Sequence, residues 1–541
     1  LNILPPVLLI IALYLATGRA WISFFTPSLL IIAAACVNFF KIQLRGDPFI
    51  ADDFAHAAEA GKMLSEFELD FNWKIVFCAV YLVLGTVFAA LFLKYRLRGG
   101  KKRLISSAVA FAVFIGAGIP VYASESIYDS AVSSYEFKWP NPTEEYITRG
   151  FVFPFLHSVR GAFPVPPAGY SEAETKAALS RYIYDDIQEG RRVNVISVML
   201  EAFCDLSEYD SIEFETDVYA RWHEIQSESV SGNLIANIFA GGTIDTERLF
   251  LLGDTSLRDI NNKTRSHLCY LREQGYYTEG FHPGDRWFYN RENVHRHLGF
   301  ENYYFLDDFE DADPGDEYFF SKLLELYCSR DKSAPYFNHS LTIQNHGAYH
   351  SRENFGAGMI SRGGLTEQTH NILSNYLVGI YDTNERIHEF LEQLRRDEEP
   401  VIVALYGDHK PWLGNYESVY DELGISLDTG TVEGFYNMYA VPYVIWANDA
   451  AKETLESDFS GDGGDFSPCF LMNRLFSLCS WGGDEFMKLG DAVFEFVPVV
   501  NTPTGLHIEN GRLTYELSDR SAGLLRELEF AEYYRHRKIQ P

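Results

Sequence analysis

Four long apolar stretches crowd the first 122 residues, and they constrain the chain more than anything that follows: Ile3 to Thr17, Trp21 to Phe40, Trp73 to Leu93 and Leu104 to Tyr122. None carries an acidic residue, and most approach the roughly 20 residues that a helix needs to cross a bilayer core. Four such runs in succession, followed by a chain of quite different composition, read as an α-helical transmembrane bundle rather than as buried core helices. Between the third and fourth runs lies Lys94 to Arg103, a short and strongly basic loop. By the positive-inside rule this loop is cytoplasmic, so everything after Tyr122 is extracytoplasmic. Counting back puts the Lys41 to Asn72 loop outside, the Gly18 to Ala20 turn inside and Leu1 outside. With a chain that starts on Leu, this predicts a further span ahead of Leu1 and five in all.

At 541 residues the chain is too long for one ordinary domain, and 47% hydrophobic residues overall exclude a disordered or collagen-like chain. A net charge of −30 argues against nucleic acid, whose backbone demands a basic footprint. It does not exclude a phosphate-bearing substrate, because one metal ion reverses the sign of a small site. Seven cysteines form no CxxC pair, and five of them lie beyond the apolar region. An odd number outside the cell reads as a protein not built on disulfides. From Ala123 to Arg192, Pro-rich segments (Trp139–Pro142 and Phe163–Pro167) precede a helical pattern around Glu172 to Gln188, as in a spacer. The expected division is therefore 1–122 anchor, 123–192 spacer and 193–541 catalytic domain.

After Arg192, short β-branched or aromatic runs alternate with amphipathic helices, the signature of an α/β domain. Val193 to Leu200 and Val401 to Tyr406 are nearly continuous apolar runs, as expected of central parallel strands covered on both faces. Glu367 to Arg396 repeats apolar residues at helical spacing. The informative residues follow the strands: Glu201 after the first, His282 after Tyr276 to Phe281, His346 after Tyr336 to Ile343, and Asp408-His409 after the Val401 run. Ligands of open α/β sheets bind outside the carboxyl ends of the strands, so these four positions are expected to converge. Carboxylates and imidazoles suit Mn²⁺, Mg²⁺ or Zn²⁺.

A glycine-rich segment, Phe239 to Phe250 (FAGGTIDTERLF), places Thr243 where a helix begins. A helix N-terminus offers free N–H groups and positive dipole to a phosphoryl group, and a metal would activate the threonine hydroxyl. Locally, Thr243 with Asp245, Thr246 and Glu247 reads more readily as an ordinary N-cap than as a nucleophile.

With these residues assembled, the chain resembles the lipoteichoic acid synthase family of the alkaline phosphatase and sulfatase superfamily. The likeness runs through VNVISVMLEAFCD at Val193 to Asp205, AGGTIDTE at Ala240 to Glu247, GFHPGDRWFYNRENVHRHLG at Gly280 to Gly299, LTIQNHGAY at Leu341 to Tyr349 and YGDH at Tyr406 to His409. In the membrane part it includes Asn38-Phe39-Phe40-Lys41, Arg45-Gly46-Asp47-Pro48 and Asp52-Asp53. The resemblance implies a sulfatase-type domain with a central, mostly parallel sheet flanked by helices. It implies a divalent metal, typically Mn²⁺, on Glu201, Thr243, Asp408 and His409, with Thr243 as catalytic nucleophile. His282, Tyr289, Arg291 and His346 would bind substrate; Tyr289 stands where Trp is commoner, and the aromatic that often follows His346 is missing. The implied reaction moves glycerophosphate from a phosphatidylglycerol-like membrane lipid to an envelope glycan or lipoteichoic acid, through a covalent phosphothreonine.

Three rivals are open to the sequence. A sulfatase needs a C/S-x-P-x-R segment, and none occurs near Gly241 to Arg248; Cys204 is followed by Asp205 and Leu206 without the Pro and Arg. A phosphoethanolamine transferase shares the threonine and the anchor but favours zinc and several disulfides. A silent scaffold has no chemical reason to keep Glu201, Thr243, Asp408 and His409 together.

Overall fold

The computed structural model describes residues 1–45, 48–51, 53, 73–95, 100–131, 146, 148–159, 166–258, 260, 262–286, 288–310, 313–414 and 417–538. The chain forms two compact units, Leu1–Val165 and Pro166–Pro541.

The first unit is helical: α1 (Leu4–Thr17), α2 (Ala20–Arg45), α3 (Trp73–Phe92) and α4 (Gly100–Tyr122). Three of these, α2 through Ile42, α3 and α4, are long and apolar enough to cross a membrane. The first is not. Its 14 residues extend about 21 Å at 1.5 Å per residue, short of a core of roughly 30 Å. The four expected spans thus become three of full length and one shorter apolar helix packed against α2 and α4. Phe77, Leu84 and Phe92 project outward from α3, an arrangement stable where the surroundings are themselves apolar. The polar sequence after α2 folds back on that helix. Lys41 Nζ donates to the Asp53 carboxylate at 2.8 Å and to the Pro48 carbonyl at 2.9 Å, while Asn38 Oδ1 accepts from the Phe49 N–H at 2.8 Å. Gly46, Asp47, Asp52, the Trp139–Pro142 segment and residues 96–99 of the basic loop lie outside the described residues.

The second unit is built on an eight-stranded sheet. Its strands are β1 (Asn194–Leu200), β2 (Val230–Ile235), β3 (Tyr277–His282), β4 (Asn302–Phe305), β5 (Tyr336–Leu341), β6 (Val401–Gly407), β7 (Ala440–Ala447) and β8 (Gly461–Asp462). The order is β4-β3-β5-β1-β6-β7-β2-β8. Neighbours from β4 to β6 pair in parallel, and β7 alone runs against its neighbours β6 and β2. β1, β5, β6 and β7 are buried along their whole lengths, which is why their sequences are continuously apolar rather than alternating. Val195 and Met199 on one face of β1 join the core formed with Leu249, Phe250 and Leu268; Ile196, Val198 and Leu200 point to the other face. Helices α5 (Ile244–Leu252), α6 (Arg291–Leu298) and α7 (Glu367–Leu394) carry or cover the site.

The helical pattern expected over Glu172 to Gln188 is realised only as Glu172–Leu179. Beyond it, tertiary hydrogen bonds hold the chain extended: Asp185 N–H donates to the Gly483 carbonyl at 3.0 Å and Ile187 N–H to Gln274 Oε1 at 2.8 Å. A small antiparallel sheet, β9 (Val499–Asn501), β10 (Leu506–Glu509) and β11 (Arg512–Thr514), and the terminal helix Asp519–Lys538 complete the unit.

Candidate active site

Strand register does most of the assembly. Because β1 lies between β5 and β6 with Leu200 opposite Gly407 and Met199 opposite Leu341, the residues just beyond these strands meet. Glu201 follows β1, and the chain turns sharply after it through Ala202, whose φ is 49°. Asp408 Oδ1 fastens that turn by accepting from the N–H groups of Ala202 and His409, both at 2.8 Å. Gly407 is needed here, since a Cβ would meet the Phe203 carbonyl oxygen at 2.2 Å.

Donor atoms of Glu201, Asp408 and His409 lie within 4.8 Å of one another, and all three residues are buried. His409 Nε2 is 3.3 Å from Asp408 Oδ2 and 3.8 Å from Glu201 Oε1. His409 Nδ1 is engaged with the Lys410 carbonyl at 2.9 Å, which fixes the ring and leaves Nε2 facing the carboxylates. Burial, with the charge of Asp408 adding to it, pushes the Glu201 carboxyl up to about 8. Asp408 Oδ2 and His409 Nε2 are both buried without a hydrogen-bond partner. Two inward-facing carboxylates with an orphaned oxygen and an orphaned imidazole nitrogen make a site whose electrostatics call for a cation.

Thr243 enters from β2. Ala240, Gly241 and Gly242 take φ values of 60°, 137° and 88°, a run of left-handed backbone that glycine tolerates without strain. It delivers Thr243 to the N-terminus of α5. There the local alternatives separate: Thr243 occupies the N-cap position, but its side chain caps nothing. Instead its hydroxyl donates to Glu201 Oε2 at 3.4 Å. One turn of helix is tied to the same corner, Thr246 Oγ1 donating to the Asp408 carbonyl at 2.8 Å.

A second polar group sits beside this corner. His282, the last residue of β3, donates from Nδ1 to the Leu341 carbonyl at 3.2 Å and accepts at Nε2 from Arg291 Nη1 at 3.0 Å. Burial and the adjacent guanidinium push its imidazole down to about 3, so it is neutral. Arg291 Nε donates to Glu247 Oε2 at 3.0 Å, and His295 Nε2 approaches Glu247 Oε1 at 2.6 Å. The Arg291 guanidinium also lies 5.3 Å from the centre of the Tyr289 ring. Tyr289 and Asn290 both have φ of 56°. Arg291 and His282 are buried, whereas His346, on the loop after β5, is exposed.

The fold therefore gathers Glu201, Thr243, Asp408 and His409 into one corner, with His282, Arg291 and Tyr289 grouped beside Glu247; His346 stands on an open loop. Sequence reading missed Glu247 and His295. The available signal was spacing: Glu247 lies one turn from Thr243, and His295 one turn from Arg291. Cys204 is sealed behind the site, 3.2 Å from the Tyr376 hydroxyl, and burial pushes its thiol up to about 11. All seven cysteines are free.

The sulfatase family model matches residues 193–471, more than half of the chain. This chain belongs to the sulfatase family. Within that family frame, the matched span runs from the start of β1 to the helix after β8 and contains every site residue named above. A protein of Rhizobium meliloti (strain 1021) named for cyclic beta-1,2-glucan modification is 23% identical over 474 residues, covering 83% of this sulfatase-family chain and 72% of that protein. The lipoteichoic acid synthase of Staphylococcus saprophyticus is 25% identical over 162 residues, 28% of this chain and 24% of that one. Among solved structures, the phosphoglycerol transferase GacH of Streptococcus pyogenes, in complex with sn-glycerol-1-phosphate, superposes with a TM-score of 0.55 at 19% identity, over 69% of this chain and 95% of that one. That likeness supports the fold: a sulfatase-type sheet with helices on both faces.

Proposed function

We propose that this sulfatase-family protein is a membrane-anchored phosphoglycerol transferase that uses Thr243 as nucleophile and a divalent cation, Mn²⁺ first among candidates, held by Glu201, Thr243, Asp408 and His409. The observation that carries the reading is the Thr243 hydroxyl. It stands at a helix N-terminus, unused as a cap, and faces a buried carboxylate. The donor set of two carboxylates, one imidazole and one hydroxyl is oxygen-rich, favouring a hard or borderline ion. Such an ion lowers the pKa of the hydroxyl and offsets negative charge at the attacked phosphorus.

The chain's own groups do the rest. Thr243 Oγ attacks phosphorus, forming the Oγ–P bond as the P–O bond to diacylglycerol breaks. Glu201 Oε2 is the nearest acceptor for the hydroxyl proton, and that proton passes on to the departing alkoxide, giving diacylglycerol. An acceptor hydroxyl then attacks the same phosphorus, breaking Oγ–P and returning a proton to Thr243, a two-step displacement. Arg291 grips phosphoryl oxygens with its planar fork, oriented by Glu247 and by neutral His282. His346 and Tyr289 meet the head group from the open side. The GacH phosphoglycerol transferase and the lipoteichoic acid synthase among its relatives favour glycerophosphate, and the Rhizobium protein named for glucan modification favours a glycan acceptor. Three apolar helices keep the enzyme beside a lipid donor, with the catalytic unit extracytoplasmic by the charge of the Lys94 to Arg103 loop.

The test is to incubate the full chain in detergent and Mn²⁺ with head-group-labelled phosphatidylglycerol or phosphatidylethanolamine. Release of diacylglycerol from the first, abolished in Thr243→Ala, is expected. Release only from the second moves the assignment to phosphoethanolamine transfer, and an undiminished Thr243→Ala enzyme removes the nucleophile claim.

A further inference from the structure

Two residues one helical turn apart on α6 converge on a single carboxylate of α5: Arg291 Nε donates to Glu247 Oε2 at 3.0 Å and His295 Nε2 lies 2.6 Å from Glu247 Oε1. Arg291, His295 and Glu247 are each at most 3% exposed along their side chains. Glu247 is also one turn below Thr243 on the same helix, its N–H donating to the Thr243 carbonyl at 3.1 Å. The carboxylate is therefore a rigid link between the helix that presents the hydroxyl and the helix that presents the guanidinium.

Arg291 has two of its three nitrogens committed. Nε is taken by Glu247 and Nη1 by His282, while no hydrogen bond among the described residues involves Nη2. A guanidinium pinned on two edges in this way turns one remaining edge toward a ligand, and little rotamer entropy is left to lose on binding.

We propose that Glu247 is a positioning residue that acts through Arg291, fixing the guanidinium at a set distance from the Thr243 hydroxyl so that both meet the same phosphoryl group. This rests on the reading of Arg291 as the phosphoryl grip. The physical signature is a sign. Glu247 is an anion close to where a second anion must bind, so by charge alone its removal tightens phosphate binding. As a positioning residue, its removal loosens Arg291 and weakens that binding.

The experiment measures inorganic phosphate binding by calorimetry to the full chain in detergent, for wild type, Glu247→Ala, Glu247→Asp, Arg291→Ala and the Glu247→Ala/Arg291→Ala pair. Glu247→Ala is expected to weaken binding about 10-fold, and to change it less than about 2-fold once Arg291 is already Ala. Glu247→Asp keeps the charge but is one methylene too short to reach both Arg291 and His295, and it too is expected to weaken binding; it carries the test if the alanine variant does not fold. Unchanged or tighter binding in both Glu247 variants overturns the proposal, as does a full loss that persists without Arg291. A wild-type chain that binds no phosphate overturns the Arg291 reading beneath it. The lipid-release assay is independent of both and reports on the overall reaction.

Discussion

At one end of the site, Asp408 Oδ2 and His409 Nε2 are buried without partners and the Glu201 carboxyl is held up near 8. At the other, one helical turn beyond Thr243, Glu247 is bonded by Arg291 and His295, and the guanidinium and the histidine hold its carboxyl well below the usual carboxylate range against the burial that would raise it. Both ends bury acid and imidazole side chains in the same sheet edge, yet one is short of positive charge and the other carries its own. The difference teaches what each end is for. A self-neutralised cluster is electrostatically complete and gives rigidity, while an unsatisfied one is balanced only when a cation arrives.

Removing divalent ions should break the comparison most severely. Chelation is expected to abolish transfer, and returning Mn²⁺ should raise the Tm of the chelated protein by a few degrees, in line with about 2–3 kcal/mol at 100-fold saturation. Asp408→Asn should erase that rise, and a rise of the same size in the variant would refute the assignment of Asp408. Next in size, Arg291→Lys keeps the charge but loses the fork that reaches Glu247 and His282 together. A fall of about 100-fold in kcat/KM is expected, with no change in the Mn²⁺-dependent shift in Tm; if that shift also disappears, the two ends are not separable. His346→Ala, at an exposed position, should raise KM roughly 10-fold and leave Tm alone. An equal drop in kcat would bring His346 into the chemistry itself.

A last effect falls on stability rather than on catalysis and concerns the protein interior behind the self-neutralised end. His339, fully buried with Nδ1 3.2 Å from Ser197 Oγ, is pushed by burial down to about 3. Its folded value lies below the ordinary 6.5, so as pH falls the unfolded chain takes up a proton that the folded chain refuses. Wild type should therefore lose stability relative to His339→Gln between about pH 6 and pH 4, by about 1.4 kcal/mol per pH unit. A gap that does not vary with pH would mean His339 titrates normally in the fold.

The strands were legible because burial on both faces leaves a mark of its own. β1 and β6 are apolar runs ended by Glu201 and by Asp408-His409, and the parallel sheet follows from their alternation with helices. The Glu247 cluster was not legible. Its sequence sits in the first turn of α5, where an acidic residue has an adequate local explanation as a helix-dipole partner, and nothing local says that Arg291, 44 residues on, will reach it. The helix expected through Gln188 failed for a related reason: periodicity cannot foresee that Gly483 and Gln274 will compete for the backbone N–H groups of Asp185 and Ile187.

By itself, then, the sequence determined the apolar helices, the strand-end acids and histidines and the position of Thr243, since each depends on residue type at short spacing. Only the tertiary structure decided that α1 is too short to match its neighbours, that the Thr243 hydroxyl faces Glu201 instead of capping its helix, and that one carboxylate binds Arg291 and His295 at once. Those outcomes depend on which buried polar atoms find partners across the fold, and that is settled by strand register and helix docking rather than by any local pattern.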